Sequence, residues 1–175
     1  MSVRIEALGP GHRPLLTGFQ NQQPSLMEYL KRYALRHATK DLLARTFVAL
    51  DDTHAPPMTR LAGYFSLATV SVDRAAAEKH PSLTRLPRFP IPGVLLARLA
   101  VDTRVQGQGL GRYLFEEALG LTLQLAKAGP VAFRLLVTDA IDGSAARFYE
   151  RHGLIRLGDE FPCRMALDLR PILDP

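Results

Sequence analysis

Apolar side chains recur along the chain with two different periods, and these periods predict a mixture of helices and strands. Between residues 110 and 128 an apolar side chain occupies every third or fourth position, as on one face of a helix, and Gly129-Pro130 ends the pattern. The stretch GVLLARLAV, residues 93–101, is almost continuously apolar, which is typical of a central strand. Residues 61–72, rich in β-branched and aromatic side chains, predict a second long strand.

The remaining elements complete a β-α-β-β-β-α-β-α-β-β order, which favours one sheet of the α/β or α+β class in a single domain covering residues 1–175. Ser25 and Glu28 have the spacing of a capping box and would begin the first helix. Asp142 is expected to cap the last helix, and Gly153 to stop it. The further predicted strands cover 3–8, 46–50, 133–137, 154–157 and 164–169, and the further helices cover 25–44 and 142–152.

Composition limits the class of protein and its compartment. The single cysteine, Cys163, excludes an internal disulfide and a Cys-rich metal site, and the five histidines lack metal-ligand spacing, so we predict no metal. The chain begins without the apolar core of a signal peptide, and no apolar run approaches the roughly 18–20 residues of a membrane span. We therefore expect a cytoplasmic protein that makes no use of a membrane.

Charge is moderately positive and unevenly distributed. The net charge is +5, and no acidic residue lies between Lys79 and Val101, where Arg85, Arg88 and Arg98 stand. Four prolines exclude a regular element through the second half of the loop 73–92, and loops of this length are more often functional than idle. Such a basic segment suits a polyanion, a nucleotide cofactor or an RNA, although charge alone favours a solvated basic surface.

Three alternating glycines, Gly107, Gly109 and Gly111, separate the apolar strand from the long helix. Glycines let a phosphate approach the backbone, and the free N–H groups and dipole of a helix N-terminus favour an anion. The spacing differs from the G-x-G-x-x-G of the Rossmann fold and lacks the Gly-Lys-Ser/Thr of a P-loop. The sequence therefore predicts a diphosphate site of another type, with a ligand-free tight turn as the alternative.

Two motifs carry a resemblance to a known family. The segment QGQGLG, with Gln106, Gly109 and Gly111, resembles the Gln/Arg-x-x-Gly-x-Gly/Ala signature of the GNAT N-acetyltransferases. The segment DAIDGSAARFYERHGL resembles their second signature, with Phe148 and Tyr149 in register, although Asp142 stands where many members have Asn. Within the family, both segments are most similar to the GNAT toxins of bacterial toxin–antitoxin pairs.

This resemblance implies a fold, a reaction and partners. The expected GNAT fold is a mixed, mostly antiparallel and splayed sheet flanked by helices, with acetyl-CoA as co-substrate in the split. The expected reaction is acetylation of the α-amino group of an aminoacyl-tRNA, which blocks translation. An antitoxin protein and a homodimer are implied in the same way. A small amine or a protein N-terminus as acceptor, and a CoA-binding module without turnover, are the alternative functions.

The resemblance also assigns roles to residues. Tyr149 would protonate the departing thiolate as general acid, and Arg85, Arg88 and Arg98 would contact RNA. The strand 93–101 contains no Glu to act as general base, so a water molecule would take the proton of the weakly basic amine. Arg98 in a central strand is expected to have a partner or to reach a cleft. The residues expected to bind acetyl-CoA are Leu99, Val101, Gln106, Gly107, Gln108, Gly109, Leu110, Gly111, Arg112 and Asp142.

Overall fold

The structure is a computed structural model that describes residues 2–53, 59–84, 86 and 89–174. Seven strands and six α-helices make up this part of the chain, in the order expected from the sequence apart from three additional one-turn helices. The strands are β1 (Val3–Ala7), β2 (Arg45–Asp51), β3 (Arg60–Val72), β4 (Ile91–Val101), β5 (Leu135–Ala140), β6 (Ile155–Arg156) and β7 (Cys163–Asp168). The helices are α1 (Arg13–Leu16), α2 (Pro24–Glu28), α3 (Arg74–Ala77), α4 (Leu110–Ala128), α5 (Gly143–Glu150) and α6 (Arg170–Leu173).

The strands form a mixed sheet with the hydrogen-bonded order β1-β2-β3-β4-β5-β7-β6. The pairs β1–β2, β2–β3, β5–β7 and β6–β7 are antiparallel, whereas β4 pairs with β5 in parallel, from Gly93 opposite Leu135 to Leu96 opposite Thr138. A parallel pair needs a long crossover connection, and α4 supplies it. The mixed, mostly antiparallel sheet predicted from the sequence is therefore present.

The chain divides into two compact units, and each has its own apolar core. The first unit comprises residues 1–68 and 97–118, and the second comprises 69–96 and 119–175. Phe19, Leu30 and Tyr64 are fully buried in the first core. Leu135, Val137 and Ala166 are fully buried in the second. That residues 1–175 make a single domain stays a prediction.

The first long helix begins and continues differently from the prediction. Pro24 occupies its first turn and Gln23 its N-cap, with no side-chain capping bond, so the capping box expected at Ser25 is wrong. Proline sets φ near the helical value, which starts the helix one residue before the serine. Beyond α2 the backbone continues through two π-helical segments, Tyr29–Ala34 and His37–Asp41. Wide turns of this kind are rare and occur frequently at functional sites.

None of the helices in residues 2–53, 59–84, 86 and 89–174 combines the length and the apolar character that crossing a bilayer requires.

Candidate functional site

The glycine loop connects β4 to α4 in the first unit. After Val101 the chain makes a short 3-10 turn over Thr103–Val105, and α4 then begins at Leu110. Gly107 and Gly109 have φ values of +76° and +83°, in the left-handed region that favours glycine. These two positions therefore require glycine for their backbone conformation, as the alternating spacing suggested.

The loop leaves a run of backbone donors open. Among the described residues, none accepts a hydrogen bond from the backbone N–H groups of residues 107–112, and the first helical bond runs from Tyr113 N to Gly109 O at 3.1 Å. A depression of about 320 Å³ lies against this loop and is lined by Val3, Gln108, Gly109, Leu110 and Tyr113. Consecutive free N–H groups at the positive end of a 19-residue helix dipole can bind an anion such as a diphosphate.

The polar side chains beside these donors already have partners within the protein. The exposed Arg112 guanidinium pairs with Glu116 at 2.7 Å, one helical turn along, and this hydrogen bond raises the pKa of Arg112. The Gln106 amide donates to the Val101 carbonyl at 3.2 Å. Direct contact of Arg112 and Gln106 with a ligand stays a prediction, as does pairing of Leu99 and Val101 with a pantetheine arm.

A polar clasp that the sequence analysis missed fixes the start of the loop. The buried Asp102 carboxylate accepts hydrogen bonds from the backbone of Gln20 at 2.9 Å and from the Arg104 guanidinium at 2.7 Å. Burial acts to raise the pKa of Asp102, but the hydrogen bonds from Arg104 and Gln20 outweigh it, so the pKa is lowered. The Asn21 side chain donates to the Val101 carbonyl at 2.8 Å. The Asp-x-Arg spacing after β4 signals part of this clasp, whereas Asn21 carries no sequence signal.

Arg98, a predicted RNA contact, lies on β4 with its side chain exposed. Its guanidinium sits 4.9 Å from the centre of the Tyr29 ring, a cation–π contact. The sequence analysis expected Arg98 to have a partner or to reach a cleft, and the face of the Tyr29 ring is such a partner. Arg85 and Arg88 lie outside the described residues.

Tyr29 and Tyr64 stack with ring centres 6.4 Å apart, yet their hydroxyl groups differ. The Tyr64 hydroxyl donates to the Leu26 carbonyl at 2.7 Å, whereas no described residue forms a hydrogen bond with the buried Tyr29 hydroxyl.

Tyr29→Phe should therefore leave the free energy of unfolding unchanged or raise it, and Tyr64→Phe should lower it by about 1–2 kcal/mol. Urea unfolding of the two variants measures both effects, and an equal loss in both would contradict this account.

In the second unit the described residues include two further predicted site residues, Asp142 at the N-cap of α5 and Tyr149 within this helix. Asp142 is the N-cap of this helix and accepts a hydrogen bond from Ala145 N at 2.8 Å, as the sequence predicted. Gly153, with φ of +87°, follows the last turn and confirms the expected stop. Capping is thus the function that Asp142 performs in this structure, and a contact with acetyl-CoA stays a prediction.

Tyr149 is buried near the end of α5, with 8% of its surface exposed. Burial raises the pKa of its phenol, against a hydrogen bond with Thr138 that lowers it. Thr138 Oγ1 in turn donates to the Leu96 carbonyl on β4 at 3.0 Å. The phenol is therefore protonated at neutral pH and fixed in position, which are the two properties required of a proton donor.

A second polar cluster in this unit resembles a catalytic triad without its connectivity. Ser82 Oγ donates to Asp168 at 2.5 Å and also lies 3.1 Å from His80 Nδ1, while Arg134 pairs with Asp168. In a serine triad the histidine stands between serine and aspartate, whereas here the serine does. This cluster ties the 3-10 turn Pro81–Leu83 to the end of β7 rather than activating a nucleophile.

The same cluster makes stability depend on pH. Burial lowers the pKa of His80 below its ordinary value of 6.5, so the unfolded chain binds this proton more readily. The free energy of unfolding should therefore decrease as the pH falls below 6.5. Burial acts to raise the pKa of Asp168, but hydrogen bonds from Arg134 and Ser82 outweigh it, so the pKa is lowered. The free energy of unfolding should therefore decrease further as the pH falls below about 4.

Urea midpoints at pH 7.5 and 5.5 test the histidine contribution. His80→Asn removes the titrating group, so its midpoint should change less between the two pH values than that of the wild type. An equal change in both proteins would assign the effect to other histidines.

Among the described residues, no group of three His, Cys, Asp or Glu side chains could hold a metal ion.

Known proteins resemble this chain over most of its length. The family model described as acetyltransferase (GNAT) domain matches residues 43–154. The tRNA-acetylating toxin of Mycobacterium tuberculosis is 34% identical over 134 residues, which cover 77% of this chain and 74% of the relative.

Solved structures share the fold. The crystal structure of a tyrosine-to-phenylalanine mutant of KacT superimposes with a TM-score of 0.86 at 26% identity and covers 98% of both chains. AtaT complexed with acetyl-methionyl-tRNAfMet superimposes with a TM-score of 0.84 at 26% identity, over 98% of this chain and 97% of AtaT. The fold expected from the sequence motifs is thereby confirmed.

Proposed function

This chain belongs to the GNAT acetyltransferase family, and from that premise we propose that it transfers the acetyl group of acetyl-CoA to the α-amino group of an aminoacyl-tRNA. The observation that carries the proposal is the run of open N–H groups over residues 107–112 at the start of α4. They fit the diphosphate of acetyl-CoA. The acceptor follows from the relatives, one a tRNA-acetylating toxin and one solved with an acetylated methionyl-tRNA.

The reaction needs two proton movements. The amine nitrogen attacks the thioester carbonyl carbon, the carbon–sulfur bond breaks, and CoA leaves as a thiolate that takes the phenol proton of Tyr149. The acceptor nitrogen gives its proton to water, and water returns a proton to the tyrosinate. Because an α-amino group has a pKa of about 7.7–8.0, far below that of a lysine side chain, a fraction is neutral near pH 7 without a protein base. This agrees with the absence of Glu from β4.

The proposal also defines a setting. Aminoacyl-tRNA is made and used in the cytoplasm, so we place the enzyme there. Acetylation of charged tRNA stops its use in translation, so the gene for such a toxin needs an antitoxin gene beside it. A homodimer stays part of the prediction, and sedimentation of the purified chain measures it.

Incubation with labelled acetyl-CoA and total charged tRNA tests the reaction. Label should enter the RNA fraction, should be released by mild base as the N-acetylated amino acid, and should not enter deacylated tRNA. Label in a protein or small-amine acceptor, with none in charged tRNA, would overturn the proposed acceptor while retaining the acetyltransferase. Binding of CoA without transfer to any acceptor would identify a binding module.

A further inference from the structure

A basic groove runs along the first unit, and none of the residues that line it belongs to the glycine loop. It has a volume of about 650 Å³ and lies between the segment 10–17, which contains α1, and the helical segment 31–41, most of which is π-helical. Leu16 and Leu35 contribute apolar surface to it. Five cations and one carboxylate line the groove: Arg13, Lys31, Arg32, Arg36, Lys40 and Asp41.

The positive charge of this groove is only partly compensated. Arg32 pairs with Glu28 at 3.3 Å and Arg36 pairs with Asp41 at 2.9 Å. Arg13, Lys31 and Lys40 are exposed and form no ion pair with a described residue. Like charges gathered in one groove repel each other, so an arrangement of this kind favours an anionic ligand that neutralises several charges together.

The spacing of the cations suits a repeating anion. Lys31, Arg36 and Lys40 are five and four residues apart in this helical segment, about one turn each, and all three line the groove. A nucleic-acid strand carries one negative charge per nucleotide at a regular spacing, so a row of cations can contact successive phosphates.

From this geometry we infer that the groove binds the ribose–phosphate backbone of the RNA substrate. The inference rests on the proposed function for the identity of the RNA, and it assigns the affinity for that RNA to Arg13, Lys31 and Lys40. Contacts to phosphate carry no sequence information, so these residues position the tRNA and supply affinity. Residues outside the groove must then distinguish one aminoacyl-tRNA from another.

Equilibrium binding of fluorescent, deacylated tRNA to the full chain tests this inference without any catalytic step. Lys31→Glu and Lys40→Glu should each weaken binding about tenfold near 0.1 M salt and reduce the slope of log K against log salt by about one. Lys127→Glu is the matched control, because Lys127 is exposed in the last turn of α4 and the change in net charge is the same. The control should bind tRNA within about twofold of the wild type.

Kinetics provide a second measurement. The groove variants should raise the KM for aminoacyl-tRNA at unchanged kcat and unchanged KM for acetyl-CoA, as expected when binding common to ground and transition state is removed. Urea midpoints of the two groove variants should match that of the wild type, because the replaced side chains are exposed. Lys127→Glu should lower the midpoint slightly, because it places a carboxylate at the negative end of the α4 dipole.

Three results would overturn the inference. The first is that both groove variants bind tRNA as tightly as the wild type, and the second is that Lys127→Glu loses as much tRNA affinity as they do. The third is that a polyglutamate peptide displaces tRNA and binds more tightly than tRNA does. The last result would make the groove a site for an acidic protein segment. Failure of acetyl transfer is a separate outcome, since it removes the proposed reaction and leaves the binding comparison intact.

Discussion

Tyr149→Phe will lower kcat for acetyl transfer by about a hundredfold or more and leave the affinity for acetyl-CoA unchanged. The variant removes one oxygen atom from a side chain that is 8% exposed and keeps the ring, which packs edge-on against Phe148 with ring centres 5.1 Å apart. The packing of the ring is therefore preserved. The lost atom is the one that would give its proton to the sulfur of CoA.

The environment of Tyr149 fits this role. Burial raises the pKa of the phenol, so the group keeps its proton throughout the range in which the acceptor amine becomes neutral. The wild-type rate should therefore rise with pH through the pKa of the amine, with no descending limb caused by ionisation of the tyrosine up to about pH 9. A single-turnover rate with preformed aminoacyl-tRNA measures the chemical step directly.

Thr138→Val is the matched control. It removes the hydrogen bond between Thr138 and the phenol but keeps the phenol itself. We expect this variant to keep kcat within about tenfold of the wild type, with a loss of stability of about 1 kcal/mol because the Leu96 carbonyl loses its donor. Equal losses of kcat in Tyr149→Phe and Thr138→Val would show that positioning, rather than proton donation, explains the effect.

The sequence predicted those parts of the fold that depend on local pattern. The apolar period over residues 110–128 coincides with α4, and the Asp142 cap and the stop at Gly153 are found where expected. All three features depend on residues that are close together in the sequence. The capping box at Ser25 failed for an equally local reason, since Pro24 starts the helix first. The π-helical turns that follow have no known signature in the apolar spacing.

The candidate site was predictable only where it is continuous in sequence. The glycine loop is one segment, so its residue types alone were enough to predict an anion site there. The basic groove joins residues 10–17 to residues 31–41, and the clasp joins Gln20 and Asn21 to the end of β4, so no single window contains either. Alternation along β4 could not show that Arg98 lies on Tyr29, because this contact depends on tertiary packing.

Gly109→Ala will weaken acetyl-CoA binding about tenfold or more and lower the free energy of unfolding by about 1–2 kcal/mol. A Cβ at this position would meet no atom within 4 Å, so the cost is conformational: φ is +83°, which an alanine tolerates poorly. Relaxation of that angle rotates the neighbouring N–H groups away from their common direction, and the anion loses several hydrogen bonds at once.

Gly120→Ala separates this effect from the removal of a glycine as such. Gly120 lies within α4, its Cβ would also meet no atom within 4 Å, and its φ is not positive. Because alanine favours a helix over glycine by about 1 kcal/mol, this variant should be more stable than the wild type and bind acetyl-CoA equally well. Urea unfolding and calorimetric titration with CoA measure both properties. Unchanged CoA affinity in Gly109→Ala would mean that the open N–H groups do not hold the diphosphate, and the assignment of the glycine loop would then be wrong.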